Sequence, residues 1–295
     1  MSVLVCAAEK GSLSAAARAL RMPLPTVSRK VAELEAQLKA ALVVRSRAGL
    51  HLTEAGQAFV AAARTILENM AQAERAASGE YLAPTGQLVV AAPIVFGRLH
   101  VVPVVTEFLA AYPKVDVKLL QNDRLAHLVE DQIDCAVRIG ELPDSSVIAT
   151  RLGTVRRVVC ASPAYLEKHR PLKKPGDIAV HDCVTAEVLG VPERWSFGAG
   201  RTQAEVSVRS RLIVNTLEAA IDAAVAGTGL ARALSYQVCD HVRQGVLKVV
   251  LADFEPPLWP VHLIHKPQTL FPLKLRAFLD FAAPRLRQRL VLQTP

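Results

Sequence analysis

The stretch GSLSAAARALRMPLPTVSRKVAELEAQLKAALVVRSRAGLHLT, Gly11 to Thr53, packs a short Ala-rich helix, a Pro-marked turn and a second helix into one basic segment. In the second helix Val27, Val31, Leu34 and Leu38 recur at intervals of four, three and four, so they form one stripe facing a core. Pro25, Thr26, Arg29 and Ala32 then project from the opposite side, with Ser28 on the flank. Pro25 is tolerated in a first turn because the amides there have no intrahelical acceptor to lose. Thr26, Ser28 and Arg29 bring donors for phosphates and base edges, and an arginine can grip a guanine edge through two hydrogen bonds. This is the layout of a helix-turn-helix that reads double-stranded DNA, although a solvated face on a small helical domain shares the spacing.

Charge separates these alternatives. Residues 1–53 carry eight basic side chains (Lys10, Arg18, Arg21, Arg29, Lys30, Lys39, Arg45 and Arg47) against Glu9, Glu33 and Glu35, a net of +5. The whole 295-residue chain has a net charge of +8, so only +3 is spread over the remaining 242 residues. A basic surplus concentrated on the two-helix module is the footprint of polyanion binding.

The rest of the composition narrows the classes. A length of 295 residues with 51% hydrophobic content suits two or three domains with real cores. Five widely spaced cysteines (Cys6, Cys135, Cys160, Cys183 and Cys239), with no Cys-x-x-Cys, point to a reducing cytoplasm and away from a disulfide framework or zinc site. A thiol switch between Cys160 and Cys183 is the weaker reading beside buried structural cysteines. Val3 to Ala8 is too short for a signal core and has no basic stretch before it, and the longest apolar runs break well before the roughly 20 residues of a membrane span. No Ser-His-Asp spacing or acid pair marks catalysis. Gly227-Thr228-Gly229 follows a helix and reads as a helix stop rather than a dinucleotide turn. His262 and His265 lie three apart on a strand and so point to opposite faces, which disfavours a metal site, and no cofactor is implied.

From Thr53 a helix opened by Glu54 runs to about Ser78, with Phe59, Ala63, Ile66, Met70, Ala73 and Ala77 at heptad spacing. That stripe suits either packing on its own domain or a second copy. Ala83-Pro84-Thr85-Gly86 ends it. Beyond, strand-like and helix-like stretches alternate: 87–92, 97–111, 115–120, 125–132 and 134–139, then 157–161, 215–226, 229–233, 247–251, 259–265 and a closing helix over 273–290. The pattern predicts an α/β region with a substantially parallel sheet.

At GSLSAAARAL, PTVSRKVAELEAQL and LHLTEAGQAF the sequence resembles the LysR-type transcriptional regulators, and FGRLHVVPVVTEFLAAYP, DCAVRIGELPDSS, RVVCASPAYL, HDCV, AAVAGTGLA and QGVLKVVL extend the likeness over nearly the whole chain. Departures are Lys39 where the family often has Gly, Val43 in place of Phe, and a wing with only Arg45 and Arg47. Met1 falls where relatives are already inside their first helix, so the chain looks short by one or two turns and its N-terminus is expected to be loosened. The resemblance implies three parts: an all-α winged helix-turn-helix over 1–53, a dimerising linker helix over 54–82, and an effector domain over 83–295 like the type II periplasmic binding proteins. Lobe I of that domain is expected over about 86–157 and 262–290, and lobe II over about 158–261. It also implies DNA contacts from Ser12, Ser14, Pro25, Thr26, Ser28, Arg29, Arg45, Arg47 and Thr53, dimerisation through Phe59, Ala63, Ile66 and Met70, assembly as a homodimer or homotetramer, and RNA polymerase as a candidate contact. A two-lobed solute-binding protein is the rival, but it has no use for the basic module.

Ligands of α/β sheets sit beyond the carboxyl ends of strands. Those positions are Pro93, Val95, Phe96 and Gly97, then Ile139 and Gly140, Ser162, and Asn215 with Thr216. Asn215 with Glu218 three residues on also reads as a capping box, a purely structural role. If helices begin near Gly97 and Asn215, their amides would attract a small organic anion, with Val95, Phe96 and Ile139 around its apolar part.

Overall fold

The computed structural model describes residues 1–46, 49–77, 83–123, 133–142, 147–186, 194–198, 203–268 and 271–292. The chain divides into two compact units, Met1–Ala83 and Pro84–Pro295.

The first unit runs α1 (Ser2–Lys10), α2 (Leu13–Ala19), α3 (Leu24–Leu38), the antiparallel hairpin β1 (Val43–Ser46) and β2 (Gly49–Leu52), and α4 (Glu54–Ala77). Gly11 (φ 67°) ends α1, and the Ser12 hydroxyl accepts the Ala15 amide (3.0 Å) to start α2. Pro23 caps α3 and Pro25 sits in its first turn, as the orphan amides there allow. Leu4, Val5, Ala7, Leu13, Ala16, Val27, Val31 and Leu42 form the core, joined by Val60 and Ala63 of α4. Leu38 does not join them. It is 43% exposed, because α3 runs past the small core and its buried stripe ends at the partly buried Leu34.

In α4 the expected dimer stripe divides. Ala63 is wholly buried in the core of its own unit and Phe59 packs on it, so Ala63 is excluded from a seam between copies. Ile66 and Met70, 50% and 58% exposed, remain outside. One turn of advance carries the helix beyond the domain that covers its first half.

The second unit holds two five-stranded sheets. The first is ordered β4 (Val115–Gln121), β3 (Gly86–Ala92), β5 (Cys135–Ile139), β14 (Trp259–His265) and β6 (Ile148–Val155). The second is ordered β11 (Arg209–Val214), β8 (Asp182–Ala186), β12 (Leu230–Leu234), β7 (Arg157–Ala161) and β13 (Lys248–Val250). A separate hairpin pairs β9 (Arg194–Phe197) with β10 (Ala204–Ser207). Both large sheets are mixed rather than substantially parallel. β3, β4 and β5 run parallel, as do β8, β11 and β12, while β14 opposes β5 and β6, and β7 opposes β12 and β13. The sequence expectation omitted β6, β8, β11, the β9–β10 hairpin and the helices α7 (Pro163–Lys168) and α9 (Ser235–Arg243). The helix expected over 125–132 lies outside the described residues.

The chain crosses from the first sheet to the second at Arg156 and returns before Trp259, so β14 belongs wholly to lobe I and the expected boundary at 261 moves to its start. Arg156 Nε and Nη2 donate to both oxygens of Glu255 (2.7 and 2.6 Å), fastening the outward crossing to the return segment. The helical stretch Ile94–Ala111 is 18 residues long and apolar enough to meet the composition of a membrane span, against expectation. Its Val95, Phe96, Val101, Val104, Val105 and Phe108 are buried in the lobe I core with Leu88, Leu263 and Phe278.

Candidate functional site

In the first unit the outward flank of α3 is built by what its inward flank buries. Val27 and Val31 are fully buried, which turns Pro25, Arg29 and Ala32 to solvent and leaves Thr26 and Ser28 partly exposed. Arg29 lies 3.5 Å from Glu33 one turn on, an exposed pair that holds it weakly. Ser14 is exposed, whereas the Ser12 hydroxyl is engaged as the α2 cap. Thr53 is also engaged: its hydroxyl donates to the Ala41 carbonyl (2.7 Å) and accepts the Gly56 amide (3.0 Å), closing the hairpin onto the start of α4. Arg47 lies outside the described residues, and only the backbone of Arg45, in β1, is described. The hairpin is tied to the reading helix by Glu35, whose Oε1 accepts the amides of Leu42 (2.7 Å) and Val43 (3.0 Å).

In the second unit Pro93, Ile139 and Gly140 stand at one end of the first sheet, where β3 and β5 finish and β14 begins. Asn215 and Thr216 stand at the corresponding end of the second sheet, level with the crossing at Arg156. Ser162 does not. β7 opposes β12, so Ser162 lies a strand length away, roughly 16 Å, capping α7 (Pro163–Lys168) through the Tyr165 amide (3.4 Å). Val95 and Phe96 are buried in the lobe I core, in a cluster that Tyr236 of lobe II joins. Gly140 adopts φ 105°, a backbone only glycine accepts readily, and donates to the Pro260 carbonyl (2.9 Å).

Both helix starts differ from expectation. The first helix begins at Ile94 and includes Gly97, which opens a π-turn over Gly97–Val101. The Ile94 amide is occupied by Asp123 Oδ1 (3.0 Å). The helix α8 (Leu217–Val225) is capped by Thr216, whose hydroxyl accepts the Ala219 amide (3.3 Å), so Asn215 is an exposed neighbour rather than half of a capping box. Tyr236, on α9, packs its ring against Phe96 and His100, each at 5.4 Å between centroids. The Asp123 carboxyl is held above the usual carboxylate range by burial, opposed by the Ile94 amide and reinforced by the charge of Glu218. Burial, then Asp123, push the Tyr236 phenol up, opposed by the Gln237 side chain and reinforced by Glu218. Asp123 of lobe I and Glu218 and Tyr236 of lobe II thus lie near enough for their charges to act on one another.

Residues 1–57 match the family description "Bacterial regulatory helix-turn-helix protein, lysR family", and residues 83–287 match "LysR substrate binding domain". The chain belongs to the LysR-type transcriptional regulators. It is 31% identical to an HTH-type transcriptional regulator of Xanthomonas campestris pv. campestris over 96% of this chain and 84% of that one. It is also 31% identical to the HTH-type transcriptional activator TtdR of Escherichia coli K12, over 98% and 94%. The solved structure of CrgA, a LysR-type regulator from Neisseria meningitidis, superposes with a TM-score of 0.62 at 29% identity, covering 97% of each chain. The regulator therefore pairs a helix-turn-helix with a substrate-binding domain, as its two sheets and basic N-terminal unit require.

Sequence reasoning did not single out Asp123 or Tyr236 and saw Glu218 only as a cap partner. Periodicity carries no signal for them, because each stands at an element end that only the folded sheets bring together. The Cys160 and Cys183 pairing is ruled out by register. β12 separates their strands, which places them roughly 10 Å apart, beyond disulfide reach.

Proposed function

We propose that the outward flank of α3 reads a DNA operator through Pro25, Thr26, Ser28 and Arg29, and that Ser14 and the hairpin arginines Arg45 and Arg47 add phosphate contacts. Two copies joined along α4 at Ile66 and Met70 would present two readers to a roughly palindromic site. A small molecule held between the lobes beside Pro93, Ile139, Gly140, Asn215 and Thr216 would favour one arrangement of the lobes and so shift the readers, by no more than its differential affinity for the two states. The protein acts in the cytoplasm as a regulator without catalysis, as a homodimer or homotetramer, with RNA polymerase as a partner at the promoter.

The observation that carries this reading is the division of α3 into a fully buried Val27 and Val31 flank and an exposed, basic one. Titration of operator and random duplexes with wild type and Arg29→Ala tests it. The variant should lose about 1–3 kcal/mol on the operator and less on random DNA. Equal losses demote Arg29 to a phosphate contact, and no loss on either refutes the orientation of α3. Sedimentation of the wild type should give a dimer or larger; a monomer would remove the Ile66 and Met70 seam.

A further inference from the structure

The expectation of an anionic effector rested on helix amides open to the cleft, and at each helix start one amide already has a side-chain partner. Asp123 Oδ1 accepts the Ile94 amide, and the Thr216 hydroxyl accepts the amide of Ala219, the third residue of α8. What the two lobes present instead is negative. Asp123 comes from the end of β4 in lobe I and Glu218 from the first turn of α8 in lobe II, close enough for each charge to be felt. Glu218 Oε2 is buried and no described residue donates to it. Arg157, on the same edge, stacks over the Trp259 ring (4.3 Å) and is not among the groups that act on Asp123.

A second observation points into the same place. Tyr236 is 4% exposed, and its hydroxyl has no hydrogen-bond partner among the described residues. Gln237 is beside it in sequence; its Oε1 accepts the Leu234 amide (2.8 Å), and its side chain approaches the Tyr236 phenol closely enough to favour the ionised form. Buried polar groups in native proteins are nearly always satisfied, so a buried phenol with no hydrogen bond to its oxygen, beside two carboxylates, would be satisfied by a further polar group. Two carboxylates sharing a partly buried edge repel each other, and a cation between them removes that repulsion while a carboxylate increases it.

We infer that the cleft between the lobes takes an organic cation, whose ammonium or amidinium N–H groups donate to Asp123 and Glu218 and lie beside the Tyr236 hydroxyl. This rests on the reading that a small molecule binds between the lobes, and it makes the ligand itself the bridge: Asp123 belongs to one lobe and Glu218 to the other, so a cation held by both favours the closed arrangement.

The test uses the full chain and three probes of one carbon length, n-pentylammonium, pentanamide and pentanoate, with melting followed by tryptophan fluorescence, since Trp195 and Trp259 both lie in the effector unit. Pentylammonium should stabilise most and pentanoate least. Asp123→Asn, which keeps an oxygen for the Ile94 amide, and the isosteric Glu218→Gln should each weaken the pentylammonium response by about tenfold in concentration, the equivalent of one charge-assisted hydrogen bond. The pentanamide response should survive both changes. A pentanoate response equal to or above that of pentylammonium overturns the cation assignment and leaves the effector cleft standing, as does a pentylammonium response indifferent to both variants. Silence from all three probes at tens of millimolar removes the small-molecule cleft and this inference with it.

Discussion

The reading unit and the effector unit differ in how far their inner polar groups are satisfied. In the reader Glu35 serves two amides, Thr53 serves a carbonyl and an amide, and Ser12 serves the start of α2. In the effector unit both ring nitrogens of His100, the Tyr236 hydroxyl and Glu218 Oε2 are buried with no partner among the described residues. Satisfied networks fix one geometry, whereas unmet ones cost free energy until something meets them. A reader must hold its helix and hairpin still against DNA. A sensor gains by keeping part of its hydrogen bonding for a ligand, and the π-turn over Gly97–Val101, which carries His100, marks the same edge as irregular.

The largest effect should come from overfilling the reader. A Cβ at Gly56 would collide with the Leu42 backbone carbonyl, where α4 meets the hairpin. Gly56→Ala should cost about 3 kcal/mol in the first unit, since backbone cannot yield as a side chain can. Operator binding and far-UV circular dichroism should report the loss while the tryptophan melting transition stays put; a shared shift would mean that the two units unfold as one.

Slightly smaller is a pH effect confined to the sensor. His100 is 1% exposed, and burial, aided by the charge of Arg289, lowers its pKa from 6.5 to about 4. Below pH 6.5 the unfolded chain takes up a proton that the folded one refuses until about pH 4. Stability from this group is therefore complete above pH 6.5 and falls by up to about 3 kcal/mol as the pH drops to 4. Asp123, held high, acts in the opposite sense at the lower end of that range. His100→Leu should flatten the pH dependence of urea unfolding followed by tryptophan fluorescence. An unchanged slope would reassign the acid sensitivity to other groups.

The smallest effect concerns Lys39, which ends α3 at φ 51° and ψ 34°. A side chain in this left-handed conformation costs roughly 1–2 kcal/mol, partly recovered by the greater unfolded-state entropy that glycine brings. Lys39→Gly should stabilise the reader by about 1 kcal/mol, seen in its circular dichroism melt, and leave the tryptophan transition unmoved. No gain would show that the lysine side chain makes a compensating contact.

Much of this molecule was legible in its sequence where the cause is local. The spacing of Val27, Val31 and Leu34, the tolerance of Pro25 in a first turn, the basic surplus of residues 1–53 and the Gly227 helix stop (φ 85°) each depend on a few neighbouring residues, and each leaves a mark in residue order. So does the family likeness. Tertiary structure alone decided how far a stripe stays buried, since Leu38 and Ile66 continue periodic patterns past the end of the core they face. It also decided strand direction, which sent Ser162 to the far end of its sheet. Finally it placed Asp123 on a helix amide and set Glu218 near it from 95 positions along the chain. Periodicity reports which side of an element is apolar; it carries no information about which element ends meet, because that follows from the order and direction of strands in a sheet.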